Sequence, residues 1–246
     1  MSLHVYAVVR DDQPLPDRTG VRGEPLDLVR SGGLAAVVSR ADPDIEATED
    51  DVTTHLDVIT ALVATGPVAP MRFGTIAPDQ DAVRQEMLEA SHAEFDKHLR
   101  ATGDVVETMV TIQFDENAAL AEIVRHDPER DSWHAESMAD KIAVGESIAS
   151  SLVAHAREWG DQLIGPAADV AQAVTELHTP EHNAVRYAVL VRRDRLADLD
   201  AQMEQLPPSV GRTAVPFTVE YVGPLPPMDF PLQPTTDGGD SSRWGW

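Results

Sequence analysis

The chain has 246 residues, enough for one large or two modest domains; 42% are apolar but only 5% aromatic, so the core must be mainly aliphatic. Its 42 acidic residues outnumber 19 basic ones, and the net charge of −23 opposes both nucleic-acid backbones and anionic lipid. The lack of cysteine removes disulfides, thiolate nucleophiles and Cys-ligated metal centres together.

The opening "MSLHVYAVVRDD" has no basic leader and only a short apolar run, so no secretory signal is expected. No stretch approaches the roughly 18 apolar residues of a membrane span, and the expected location is the cytoplasm. Leu3, Val5, Ala7 and Val9 alternate with His4, Tyr6 and Val8, a strand apolar on both faces. The Pro- and Gly-rich run from Arg10 to Pro25 reads as loop. Gly32-Gly33 is a turn before a strand over 34–39, and no helix follows to make it a phosphate loop. Thr48 caps a helix that opens on three acids, with Val52, Leu56, Ile59 and Val63 as its apolar face.

After Gly66-Pro67 comes "VAPMRFGT", a short strand with Met71 and Phe73 on one face and Arg72 on the other. Gly74 supplies a turn. With so many carboxylates in the chain, an ion pair or carbonyl cap is the expected role of Arg72. The alternatives are a partner contact and an anion site working with Asp79 and Asp81. A second helix carries Val83, Met87, Leu88, Phe95 and Leu99 and closes at Gly103.

Residues 105–114 form the clearest half-buried strand, and a short acid-started helix follows. A long helix then carries Met138, Ile142, Gly145, Ala149, Leu152, Ala156 and Trp159 at alternating spacings of four and three, and ends at Gly160. Gly145 on that stripe is expected to let a sheet approach closely, since Gly in a helix costs about 1 kcal/mol against Ala. Segment 168–177 fits strand or helix. Strand 184–193, a helix with Leu196, Leu199, Met203 and Leu206, and a strand over 214–223 complete the chain. Pro216, without a ladder donor, belongs at that last strand's start or edge. The order from residue 104 is β-α-β-β-α-β, the ferredoxin-like order, which makes 168–177 a strand. The expected fold class is therefore α+β (α/β-type) in two domains: an N-terminal α/β domain over 1–103 and a ferredoxin-like domain over 104–232. Residues 233–246 read as a disordered tail whose Trp244 and Trp246 are exposed or contact an apolar partner.

Catalytic patterns are absent. There is no Gly-x-Ser-x-Gly, Ser-x-x-Lys, Walker loop or dinucleotide fingerprint. The acidic run "HDPERDSWHAE" has no zinc-ligand spacing and reads as a solvated linker, so no metal or cofactor is expected. His92 and His98 point to different faces of one helix, and His55 reads as a partly buried packing residue.

Three segments together resemble one family, the gas vesicle accessory proteins of the F/L type. They are "HVYAVV" followed by "GGLAAVVS", "VAPMRFGT" between two helices, and "YVGPLPPMDF" near the carboxyl end. The strands "VETMVTIQFDENAAL" and "NAVRYAVLVRR" resemble family strands too, and the likeness runs over residues 3–230. Leu225 and Met228 stand where the family often has Trp and Tyr. The resemblance implies two α/β-type domains and a non-enzymatic assembly factor, associated with the gas vesicle. By the same resemblance it is expected to bind the small hydrophobic shell protein, to work with other accessory proteins and to be kept as a minor vesicle component. The positions carried over as contact candidates are Pro70, Arg72, Phe73, Gly74 and Thr75 in the first motif, and Gly223, Pro224, Pro226, Pro227 and Phe230 in the last. An acidic, soluble partner with a local apolar surface would keep such a subunit from aggregating. Two other readings compete: an enzyme, or a ligand-binding regulatory module, with an anion site near Arg72.

Overall fold

The computed structural model describes residues 2–42, 47–126 and 137–230. The chain divides into two units. One takes the residues up to Glu107 and those from Gly223 onward; the other runs from Thr108 to Val222.

In the first unit β1 (Leu3–Arg10) is buried along nearly its whole length, as its two-sided apolar pattern requires. It pairs antiparallel with β3 (Leu34–Arg40), which forms a hairpin with β2 (Asp27–Ser31). Gly32 and Gly33 make the turn with φ of 60° and 84°, the left-handed pair a two-residue hairpin needs. β2 lies outside the sequence expectation because it has only two apolar residues. On the other side of β1 lie the two-residue strands β4 (Ala69–Pro70) and β5 (Ile76–Ala77). Pro70 is tolerated there because β4 is at the sheet edge.

Helix α1 (Glu49–Val63) opens on the expected cap. The Thr48 hydroxyl accepts from the Asp51 amide, and the Asp51 carboxylate accepts from the Thr48 amide. Its buried face differs from the expected one. Val52 and Leu56 are exposed, and Asp51, His55, Val58, Ile59, Leu62 and Val63 are buried. The helix is turned so that polar His55 reaches buried His4 and Asp51 reaches Arg22, which a count of apolar positions does not register.

The second expected helix is broken. A short turn α2 (Gln80–Ala82) continues as a π-helical segment over Val83–Glu89, and α3 (His92–Ala101) follows. Val83, Met87, Leu88, Phe95 and Leu99 all enter one core with Val5, Val8, Leu34 and Met71.

The second unit has the sheet order β7-β8-β6-β10-β9. In chain order come β6 (Val105–Phe114), α4 (Glu116–His126), α5 (Met138–Ala168), β7 (Ala173–Leu177), β8 (Ala184–Arg192), α6 (Leu196–Glu204), β9 (Ser209–Val210) and β10 (Val215–Leu225). With β9 set aside as a short edge piece, this is the split β-α-β order. Pro216 pairs with Ser209 near the start of β10. The ambiguous segment is strand only from Ala173; Ala168 still belongs to α5.

Two glycine expectations on α5 are corrected. Gly145 does not face the sheet: a Cβ there would meet nothing within 4 Å. Gly160 does not end the helix, which runs on to Ala168. Gly160 is the close-approach glycine, because a Cβ there would fall 2.5 Å from Val185 Cγ2 and 2.7 Å from the Tyr187 hydroxyl. Residues 127–136, with most of the acidic run, and the tail 233–246 lie outside the described residues. Among the described residues no group of three His, Asp or Glu is placed to hold a metal, and no helix is long and apolar enough to cross a membrane.

Candidate functional site

The "VAPMRFGT" segment is a corner pinned to β1 by backbone bonds and to α1 by a histidine. Only Ala69 and Pro70 pair as strand. The Met71 amide then donates to the Tyr6 carbonyl at 2.9 Å, and the Val5 amide donates to the Thr75 carbonyl at 2.9 Å. Between them the chain turns on itself. The Thr75 amide and hydroxyl both donate to the Arg72 carbonyl, at 3.1 and 2.8 Å, and Gly74 takes φ of 86°. A left-handed residue at that point is what glycine permits at no steric cost.

Beneath the corner lies a buried polar core. His55 Nε2 is 3.0 Å from the Met71 carbonyl, which can only accept, so this nitrogen carries the proton. His55 Nδ1 is then the acceptor for His4 Nε2–H at 2.8 Å. In this arrangement His55 is neutral, and His4 donates through Nε2. Burial, with His55 beside it and Asp51 opposing, pushes His4 down to about 4. Burial lowers His55 as well, against the pull of the Met71 carbonyl. The Tyr6 hydroxyl accepts from the Val21 amide at 2.7 Å and shares a hydrogen bond with Ser39 Oγ at 2.9 Å. The Phe73 ring completes the stack, 5.5 Å from His4 and 5.6 Å from His55. At the far side Asp51 holds Arg22 at 2.8 Å, and that bond keeps its carboxyl below the usual range.

Arg72 is exposed, and among the described residues its guanidinium has no ion pair or hydrogen bond. The expected ion pair or carbonyl cap is thus corrected. Neighbouring acids are spent elsewhere: Asp79 caps the Ala82 amide at 2.8 Å, and Asp81 pairs with Arg84 at 2.7 Å. A groove of about 780 Å³ takes in Asp79 and Asp81 along with Leu3, Leu26 and Arg40, but not Arg72.

The second group of positions is held by a residue that periodicity does not single out. Glu107 on β6 is 2% exposed, and its Oε2 accepts from the Met228 amide at 2.9 Å and the Asp229 amide at 3.0 Å. Burial, aided by the nearby Asp229 carboxylate, pushes Glu107 up to about 7 against those two donors. Gly223 and Pro224, joined by a cis peptide, lie at the end of β10. Pro226 and Pro227 are buried, Phe230 is half-buried, and the Met228 side chain is 73% exposed. Gly223 and Pro224 thus lie in β10 itself, while Met228 faces solvent beside two anchored amides.

His4, Tyr6 and Glu107 carry this architecture without appearing among the sequence candidates. The available signal was a polar residue at a strand position whose neighbours are both apolar, as at His4 between Leu3 and Val5. His92 and His98 do point to different places, bonding the Gly32 and Val68 carbonyls at 2.9 and 3.3 Å.

A family model described as gas vesicle synthesis protein GvpL/GvpF matches residues 2–231. Gas vesicle protein F of Streptomyces sp. (strain CB03234) is 33% identical over 243 residues, covering 94% of this chain and 99% of that protein. Gas vesicle protein L1 of Halobacterium salinarum is 28% identical over 235 residues, covering 86% of this chain and 83% of that protein. The crystal structure of GvpF from Anabaena sp. PCC7120 shares the fold, with a TM-score of 0.68 at 17% identity over 92% of this chain and 96% of that one. The pinned Pro70–Thr75 corner and the Glu107-anchored ending thus lie within the region that the family model spans, and the chain belongs to the GvpL/GvpF family of gas vesicle synthesis proteins.

Proposed function

We propose that this protein is a non-enzymatic assembly factor that binds the small hydrophobic gas vesicle shell protein through the Arg72–Phe73 corner. In this reading it works in the cytoplasm beside other accessory proteins and stays on the vesicle as a minor component. The observation that carries the reading is the exposed guanidinium of Arg72, which has no ion pair or hydrogen bond among the described residues. In a chain with 42 carboxylates, a cation set on a pinned corner without a partner among those residues is available for a partner's carboxylate or carbonyls. Half-buried Phe73 beside it adds apolar contact area, the pairing found at protein-interface hot spots. The acidic surface keeps the pair dispersed once the apolar subunit is bound.

The test is co-purification under native conditions. Tagged wild-type chain retains the shell protein, and Arg72→Met loses it while its unfolding transition stays unchanged. Failure of the folded wild type to retain shell protein contradicts the reading, and so does turnover of a small molecule that Arg72→Met abolishes. Mass spectrometry of washed vesicles reports on the minor-component role.

A further inference from the structure

The apolar stripe of α5 has two halves with different fates. From Leu152 on, Leu152, Ala156, Trp159 and Leu163 are buried, and the Trp159 ring lies 5.3 Å from Phe114 on β6. Before Leu152, the same stripe continues as Met138, Ile142, Gly145 and Ala149, of which the first three are exposed and Ala149 is half-buried. Met138 is 72% and Ile142 56% exposed, and the space over Gly145 is open. Capped by Ser137 and Asp140, this half rises as about 20 Å of regular helix at 1.5 Å per residue.

The geometry points to a second copy of this chain as the occupant, its α5 lying antiparallel along this half-helix. The spacing 4-3-4 is that of a coiled-coil seam, so a like helix meets it knobs into holes. Centred between Ile142 and Gly145, the antiparallel register sets Met138 against Ala149 of the second copy and Ile142 against Gly145 of the second copy. Each layer thus pairs a large side chain with a small one, and the two-fold repeats both layers. A parallel register would set Met138 on Met138 and Gly145 on Gly145. It would also run the second helix into the face that α5 already uses for its own sheet from Leu152 onward. Only the antiparallel register carries the second copy away from that sheet.

Charge agrees with this choice of occupant. The four seam positions bear no charge, and in this register Lys141 flanks Ile148 and Glu146 flanks Ala139, so no like charges meet. The other exposed apolar pair, Val52 and Leu56 on α1, sits among Glu49, Asp50 and Asp57, where a like copy would be repelled. Two short seams bury well under the roughly 1,600 Å² of a standard interface, so the dimer is weak and concentration-dependent, about micromolar or weaker.

The chain has no cysteine, so introduced ones report cleanly. Met138→Cys and Ala149→Cys proteins are mixed at high concentration and oxidised. The proposal expects the mixed dimer, Cys at 138 to Cys at 149, to dominate over either homodimer. Sedimentation equilibrium of the cysteine-free chain should show mass rising with concentration. Ile142→Glu should weaken dimerisation at least tenfold with its circular dichroism unchanged. A monomer at all concentrations overturns the proposal, as do cross-links of like with like. Cross-linking of the Met138→Cys protein to added shell protein in preference to the Ala149→Cys protein would also overturn it and give the face to the shell protein.

Discussion

The His4–His55 pair under the Arg72 corner makes the first unit sensitive to acid. His4 is 4% exposed and falls from its ordinary 6.5 to about 4 in the folded protein. The unfolded chain therefore takes up a proton first as pH drops, and folding loses stability between pH 6.5 and 4. The full effect is the difference of about 2.5 pKa units at 1.36 kcal/mol each, roughly 3 kcal/mol, of which about 2 kcal/mol is already lost by pH 4.5. Protonation of His4 falls on Nδ1 and leaves its Nε2–H donor to His55 in place; only protonation of His55 at Nδ1 would break that bond. Glu107 runs the other way. Its carboxyl is raised from 4.5 to about 7, so its contribution is fully present below pH 4.5 and lost as pH rises through 7. A comparison of two proteins separates the terms. His4→Gln keeps a donor towards His55 but cannot titrate. The advantage of wild type over His4→Gln should shrink by about 2 kcal/mol between pH 7 and pH 4.5. Urea unfolding read by oxidation of buried Met71 and Met87 follows this unit directly. Parallel pH profiles for the two proteins would refute the reasoning.

Other expectations are as direct. Gly160→Ala should cost about 1–3 kcal/mol by overpacking against Val185 and Tyr187, read from Trp159 fluorescence, whereas Gly145→Ala should stabilise by about 1 kcal/mol because its site is open. Glu107→Ala should leave the Met228 and Asp229 amides without their acceptor at a cost of about 1–3 kcal/mol, seen as faster hydrogen exchange over 223–230. Glu107→Gln should keep that protection and remove the stability loss that wild type shows as pH rises from 4.5 to 7. Thr48→Ala should cost about 1 kcal/mol through loss of the α1 capping box, measured by urea unfolding.

How much of this is legible in the sequence depends on what each feature rests on. Features set by local chemistry read well: the two-sided burial of β1, the Gly32-Gly33 turn, the Thr48 cap, and the β-α-β-β-α-β order, which makes 168–177 a strand and is right from Ala173 on. Features set by long-range polar pairing do not. The buried face of α1 follows His55 and Asp51, whose partners lie on β1 and at Arg22, so of the expected stripe Ile59 and Val63 are buried while Val52 and Leu56 are exposed. Which glycine meets the sheet was also unreadable, since Gly145 and Gly160 both lie near the α5 stripe and only the end of the helix that packs decides. Arg72 was expected to be paired because carboxylates are abundant; the nearest acids in sequence are taken by the Ala82 amide and Arg84.

The central claim is that the Arg72 corner is a contact for the shell protein and not a support of the fold. The most direct measurement is the affinity of purified shell protein for wild type and for Arg72→Met, with the unfolding transition of each recorded alongside. The account predicts binding weakened at least tenfold, about 1.4 kcal/mol, with unchanged stability. Equal affinity, or a loss of binding matched by a loss of stability, would contradict it.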